Sequence, residues 1–173
     1  SYPIKYEKDG KPTTKAVTIK FSVVKEKYYS QPALGITDKP GTKPYGKSTK
    51  IKNNVGISIV RQGREIDFST FGFFGIYNVP EYRWWGCEIS FDADMDEVFG
   101  ISNNKQYVDL KPMSKEEMKE YASDDVKPLW MQLFEVIDPT IRDMDERNEK
   151  FGKKKYPQTM TVKLQMLDRM LAT

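Results

Sequence analysis

Histidine is absent from the 173 residues, and there is a single cysteine, Cys87. These shortages exclude Ser-His-Asp and Cys-His nucleophilic machinery, His-ligated metals, a disulfide framework and any Cys-based zinc site. No apolar run approaches the ~20 residues of a membrane span. The opening Ser1-Tyr2-Pro3-Ile4-Lys5 has no apolar stretch of the signal-peptide kind. The expectation is a cytoplasmic chain with no membrane partner. The first residue is not Met, which fits a piece cut from a longer protein. An excess of one charge is also missing: 28 Lys and Arg stand against 25 Asp and Glu, for a net charge of +3. With 38% hydrophobic and 13% aromatic residues, a chain of this length buries roughly 70% of its unfolded surface. Global disorder is excluded and the length suits one domain. We read residues 1–150 as that domain and 151–173 as a C-terminal extension.

The small net charge hides an uneven distribution. Residues 1–50 carry 11 lysines and 4 acids, residues 51–100 carry 4 bases and 8 acids, and the remainder balances at 13 of each. A basic N-terminal third suits phosphates or acidic surfaces. The lysines are spaced rather than clustered, however, which fits a solvated strand and loop better.

The hydrophobic periodicity predicts strands first and helices afterwards. In 16–24, Val17, Ile19, Phe21 and Val23 alternate with Thr18, Lys20 and Ser22, as in a half-buried strand. Residues 31–54, rich in Pro, Gly, Lys and Thr, read as a long loop. Gly56–Val60 and Glu65–Phe68 flank a Gly-containing turn and predict a β-hairpin. Residues 71–81, Gly- and aromatic-rich, read as a connection. In 82–92, Trp85, Cys87, Ile89 and Phe91 share one face, and Trp84, Gly86, Glu88 and Ser90 the other. A short turn is expected over 93–100. Ser114 and Glu117 have the spacing of a capping box, which predicts a helix to about Ser123. Asp124 or Asp125 then caps a second helix with Pro128 in its first turn and an apolar stripe of Val126, Leu129, Trp130, Leu133 and Ile137. Asp138-Pro139 predicts an interruption, with Asp138 as a new N-cap. Lys153-Lys154-Lys155 and Pro157 are expected to end the domain, and 158–171 fits strand and helix spacing equally. The order is that of an α+β fold, a mostly antiparallel sheet with helices on one face.

Three stretches have the composition of a site. Gly41-Thr42-Lys43-Pro44-Tyr45-Gly46-Lys47-Ser48 fits the P-loop string, in which Lys47 would meet β/γ-phosphates and Ser48 Mg²⁺. Its surroundings argue against it: no buried strand leads in, and a hairpin rather than a helix follows. Asp92, Asp94, Asp96 and Glu97 have partial EF-hand spacing. The positions that demand Gly and Glu hold Glu97 and Asn103, so a solvated acidic turn fits better. The third stretch is Asn103-Asn104-Lys105-Gln106, after Phe99-Gly100-Ile101-Ser102. Taken alone it is a polar turn. Its chemistry is nonetheless specific, because a lysine ammonium is a compact charge on a flexible stem, suited to meeting a terminal phosphate and releasing it.

The run Gly56-Ile57-Ser58-Ile59-Val60-Arg61-Gln62-Gly63-Arg64-Glu65-Ile66, then Arg83-Trp84-Trp85-Gly86-Cys87-Glu88-Ile89-Ser90-Phe91, then Asn103-Asn104-Lys105-Gln106, resembles the second domain of GHKL-type ATPases of the MORC-like and bacterial heat-shock-ninety-like kind. The resemblance covers roughly residues 55–137. It implies a transducer domain with the ribosomal protein S-five domain-two-like fold, including a left-handed crossover that departs from the usual handedness. It also implies an N-terminal nucleotide-binding domain of the same protein as a partner. That domain would hold ATP and Mg²⁺, and this chain would be a fragment of the ATPase and not an enzyme by itself. By the same resemblance, Lys105 reaches the ATP γ-phosphate as the catalytic position, with Asn104 and Gln106 in the same ligand-binding loop. Glu88 holds a structural strand position, and Gly86 permits close packing beside Trp84 and Trp85. A homodimer and nucleic acid are further partners that it implies. Two alternatives stay open at the level of sequence: a nucleic-acid-binding module built on the basic N-terminal third, and a P-loop protein using Gly41–Ser48.

Overall fold

A computed structural model describes residues 1–23, 55–74, 85–101 and 107–153. The chain opens with strands β1 (Tyr2–Lys8) and β2 (Lys11–Val23), joined around Asp9-Gly10 and paired from Tyr2↔Val17 to Lys8↔Lys11. Both turn residues have positive φ, at 51° and 69°, as a two-residue turn matched to strand twist requires. Strand β1 is not among the elements expected from sequence, and β2 starts at Lys11 rather than 16. Tyr2, Ile4 and Tyr6 alternate with Pro3, Lys5 and Glu7, but only Ile4 of β1 is fully buried. Strands β3 (Ile57–Arg61) and β4 (Arg64–Ser69) form the expected second hairpin around Gln62-Gly63, with φ of 49° and 79°. Their register passes from Ile59↔Asp67 to Val60↔Glu65, which leaves Ile66 as a bulge.

Strand β5 (Trp85–Phe91) lies between the hairpins, antiparallel to β2 and parallel to β3, so the order is β1-β2-β5-β3-β4. The fold is α+β with a five-stranded mixed sheet. Its four pairings are antiparallel but for β3–β5.

Trp85, Cys87, Ile89 and Phe91 are buried on one face of β5, as their alternation predicts. Ile57, Ile59, Val17 and Ile4 join them in one core. The register puts Thr18, Lys20, Ser22, Ser58, Glu88 and Ser90 on the other face. This division of a sheet into an apolar and a polar face suits helices on one side only.

Helix α1 (Lys115–Glu120) begins with the predicted capping box: the Glu117 N–H donates to Ser114 Oγ at 3.2 Å, and the Ser114 N–H donates to Glu117 Oε2 at 2.6 Å. Helix α2 (Leu129–Lys153) corrects two expectations. It starts after Pro128, whose carbonyl accepts from the Gln132 N–H at 3.1 Å, so Asp124 and Asp125 lie too far upstream to cap it. It also runs through Asp138-Pro139 without interruption. A proline inside a helix costs about 3 kcal/mol. Beyond it, Ile141 and Met144 are buried in the core that holds Leu133 and Ile137, and each such side chain contributes about 1.5–3 kcal/mol. Packing therefore outweighs the lost bond. The Thr140 hydroxyl donates to the Val136 carbonyl at 2.7 Å, and Asp138 pairs with Arg142 one turn on at 3.0 Å instead of capping a new helix.

Candidate functional site

The loop of the third sequence motif leaves the sheet at the end of β5. There the chain turns through a 3-10 segment, Ala93–Met95, whose Met95 is buried. Arg61, at the end of β3, grips Asp96 with two hydrogen bonds of 2.6 and 2.8 Å. Lys15 of β2 pairs with Asp94. The Gln62 N–H donates to the Phe91 carbonyl at 3.0 Å, which ties the second hairpin turn to the end of β5. Two of the acids with EF-hand-like spacing are thus ion-pair partners of the sheet. Among the described residues no three His, Cys, Asp or Glu side chains gather into a possible metal site.

Phe99 follows, fully buried, its ring stacked on Phe91 with centroids 3.8 Å apart. Its carbonyl accepts from the Asp109 N–H at 3.1 Å. That bond closes the chain on itself across the motif. Gly100 has φ of +60°, and a Cβ there would stand 2.8 Å from the Asp109 Cβ. Only glycine meets both demands. The Ile101 N–H donates to the Asp96 carbonyl at 2.9 Å. On the return side, Val108 donates its N–H to Asp67 Oδ2 of β4 at 3.0 Å, and Asp67 Oδ1 accepts from the Phe68 N–H at 2.8 Å. Val108 and Leu110 are buried, whereas Tyr107 is exposed. The flanks of positions 102–106 are therefore fixed to the sheet at two places, the end of β3 through Asp96 and the middle of β4 through Val108. Asn103, Asn104, Lys105 and Gln106 themselves lie outside the described residues, as do Trp84, the loop at 31–54 with Gly41–Ser48, and the segment 158–171.

From the return flank a line of contacts reaches α2. Pro112 presses on Gly72, where φ is +72° and a Cβ would fall 2.4 Å from the Pro112 Cγ. In the same turn, the Phe71 carbonyl accepts from the Trp130 Nε1–H at 2.7 Å. Phe73 stacks on Trp130 with an interplanar angle of 2°, and Trp130 stacks on Phe134 at 18°. Close-packed aromatic groups of this kind transmit displacement rather than absorb it.

On the polar face, Glu88 accepts from Lys20 Nζ at 2.8 Å and from the Ser90 hydroxyl at 2.7 Å. These bonds, the one to Lys20 foremost, hold its carboxyl below the ordinary range. At Gly86 a Cβ would meet Ser22 Oγ of β2 at 2.9 Å, so the glycine lets this strand partner approach closely; Trp84 lies outside the described residues. Burial, with Glu88 adding to it, pushes the Cys87 thiol up to about 12, so it is no nucleophile. A cleft of about 450 Å³ opens beside β1, with Lys5, Glu7, Glu97 and Lys127 in its lining. Charges of both signs there select no class of ligand.

Arg61, Asp67 and Asp96, which fix the base of the motif, are not marked as supports by the sequence. The available signal is an acid, Asp67, breaking the apolar end of a predicted strand. No family model, curated protein or solved structure matches this chain.

Proposed function

We propose that this chain is the transducer domain of a GHKL-type ATPase, a fragment that reads the γ-phosphate of ATP through Lys105. The observation that carries the reading is the closed base of the 102–106 segment: the Asp109-to-Phe99 bond and the Asp67-to-Val108 bond fix both flanks, so a load on the segment is passed to the sheet. ATP and Mg²⁺ would be held by the preceding nucleotide-binding domain of the same protein. Lys105, with Asn104 and Gln106 beside it, supplies a cation on a flexible stem that suits a terminal phosphate. A charge-assisted bond of this type contributes about 1.5–3 kcal/mol, which shifts a two-state domain arrangement tenfold or more without locking it. The path from Pro112 over Gly72 to Phe73, Trp130 and α2 then carries the change toward the C-terminal side of the domain, with dimer closure and nucleic-acid or client handling as the outputs. The S-five domain-two-like topology belongs to the same proposal; a five-stranded mixed sheet with two α-helices is compatible with it.

The test is Lys105→Ala in the parent protein. ATP turnover falls, while the urea stability of this domain stays within about 0.5 kcal/mol of wild type. Wild-type turnover in that variant overturns the assignment. Calorimetry of the isolated chain with ATP is expected to show no binding, because the nucleotide is held by the preceding domain. The nucleic-acid reading gains little from the described part of the basic third, where Lys15 and Lys20 are paired with Asp94 and Glu88. Among the described residues, no helix is long and apolar enough to cross a membrane.

A further inference from the structure

Among the described residues, strand β1 is an outer strand of the sheet. Such a strand offers a row of peptide N–H and C=O groups that readily pair with another extended chain. The β1–β2 register closes on Lys8↔Lys11 around a two-residue turn, so Tyr2, Ile4, Tyr6 and Lys8 direct their peptide groups to β2 and Pro3, Lys5 and Glu7 direct theirs outward. Pro3 has no N–H to offer. Lys5, in the middle of the row, has both groups taken by one side chain 127 positions away. Its N–H donates to Gln132 Oε1 at 2.9 Å, and its carbonyl accepts from Gln132 Nε2 at 2.8 Å. The same Nε2 donates to the Lys127 carbonyl at 2.6 Å. Gln132 is only 6% exposed. A primary amide bonded in this double fashion reproduces the pair of bonds that a residue of an antiparallel neighbour strand makes.

We infer that Gln132 locks the β1 edge, and that the partner it keeps out is a second copy of this chain adding its own β1. The outward row is self-complementary. Two β1 strands related by a two-fold axis at Tyr6 set Lys5 of each opposite Glu7 of the other, two pairs of opposite charge on directly facing positions. The inference stands on the edge itself and does not depend on any ATPase role.

The experiment uses the full 173-residue chain. In the wild type, the Lys5 amide exchanges with solvent deuterium at least about tenfold more slowly than the outward Glu7 amide, and the chain does not pair through β1. Equal rates, or wild-type pairing through β1, overturn the lock whether or not any variant folds. Gln132→Met keeps the helix propensity and removes all three amide bonds. It abolishes the Lys5 protection in dilute solution, and sedimentation velocity shows a species of twice the mass as concentration rises. Adding Lys5→Glu sets like charges face to face in that register and restores the mass of a single chain. A folded Gln132→Met variant that keeps its Lys5 protection, or stays single at all concentrations, overturns the proposal, as does a dimer that Lys5→Glu leaves intact.

Discussion

At the β1 edge the peptide groups of Lys5 are met by one side chain from α2, whereas at the β4 edge the returning chain itself is drawn in and Asp67 takes the N–H of Val108. The first closure joins residues 127 positions apart, the second residues 41 apart. The β1 closure therefore forms only when α2 is docked. The β4 closure adjoins the flank of the candidate site, so under the proposed function a load on 102–106 would reach β4 first.

The largest effects test the core that both edges share. Leu133, beside Gln132 in sequence, and Phe99, stacked on Phe91 of β5 and bonded through its carbonyl to the return flank, are fully buried. Leu133→Ala is expected to cost about 2–5 kcal/mol and Phe99→Ala about 3–5 kcal/mol in urea denaturation. A loss below about 1 kcal/mol at one of them would separate the two sides into independently supported halves. Asp67→Ala breaks the β4 closure alone. It leaves the Val108 amide without its acceptor, at an expected cost of about 1–3 kcal/mol; exchange speeds up at Val108 and is unchanged at Lys5. Faster exchange at both would show that the edges are coupled. The smallest effect belongs to the central strand. The Cys87 thiol keeps its proton in the folded chain to about 12, against an ordinary value of 9.0. The unfolded chain therefore releases a proton that the folded chain retains, and stability falls as pH rises above that ordinary value. The loss is about 0.4 kcal/mol at pH 9 and grows above it. Comparing urea midpoints of wild type and Cys87→Ala at pH 8 and pH 9 checks this, with the component absent from the variant.

The elements legible in the sequence are those whose signals are local. The β3–β4 hairpin has its turn glycine between two alternating runs, β5 has four apolar residues in strict alternation, and α1 has its capping box. What escapes a reading of the sequence depends on distant partners. Tyr2, Ile4 and Tyr6 alternate in β1, but lysines crowd the hairpin and its burial comes from α2. Pro139 obeys a local rule that two flanking patches of core override. Gln132 stands between Met131 and Leu133 and looks like an ordinary surface residue of a helix; nothing near it in the chain announces a strand edge to be met. At the candidate site, the motif residues are legible by resemblance, whereas their supports Arg61, Asp67 and Asp96 belong to three separate segments that only the sheet brings together.

The place of β5 also bears on how the sheet is assembled. Each hairpin can zip by itself around its own two-residue turn, on the microsecond scale. The strand that joins them must return from far along the chain, as the 68 positions from Lys20 to Glu88 show, and so bears the loop-closure cost. It works as a keystone. Until it is seated, β2 and β3 each present an unfinished margin, and the apolar side of β5 has nowhere to go. The nascent molecule is most open to mispairing with a neighbour in that interval, and the centre of the sheet is the last place to close.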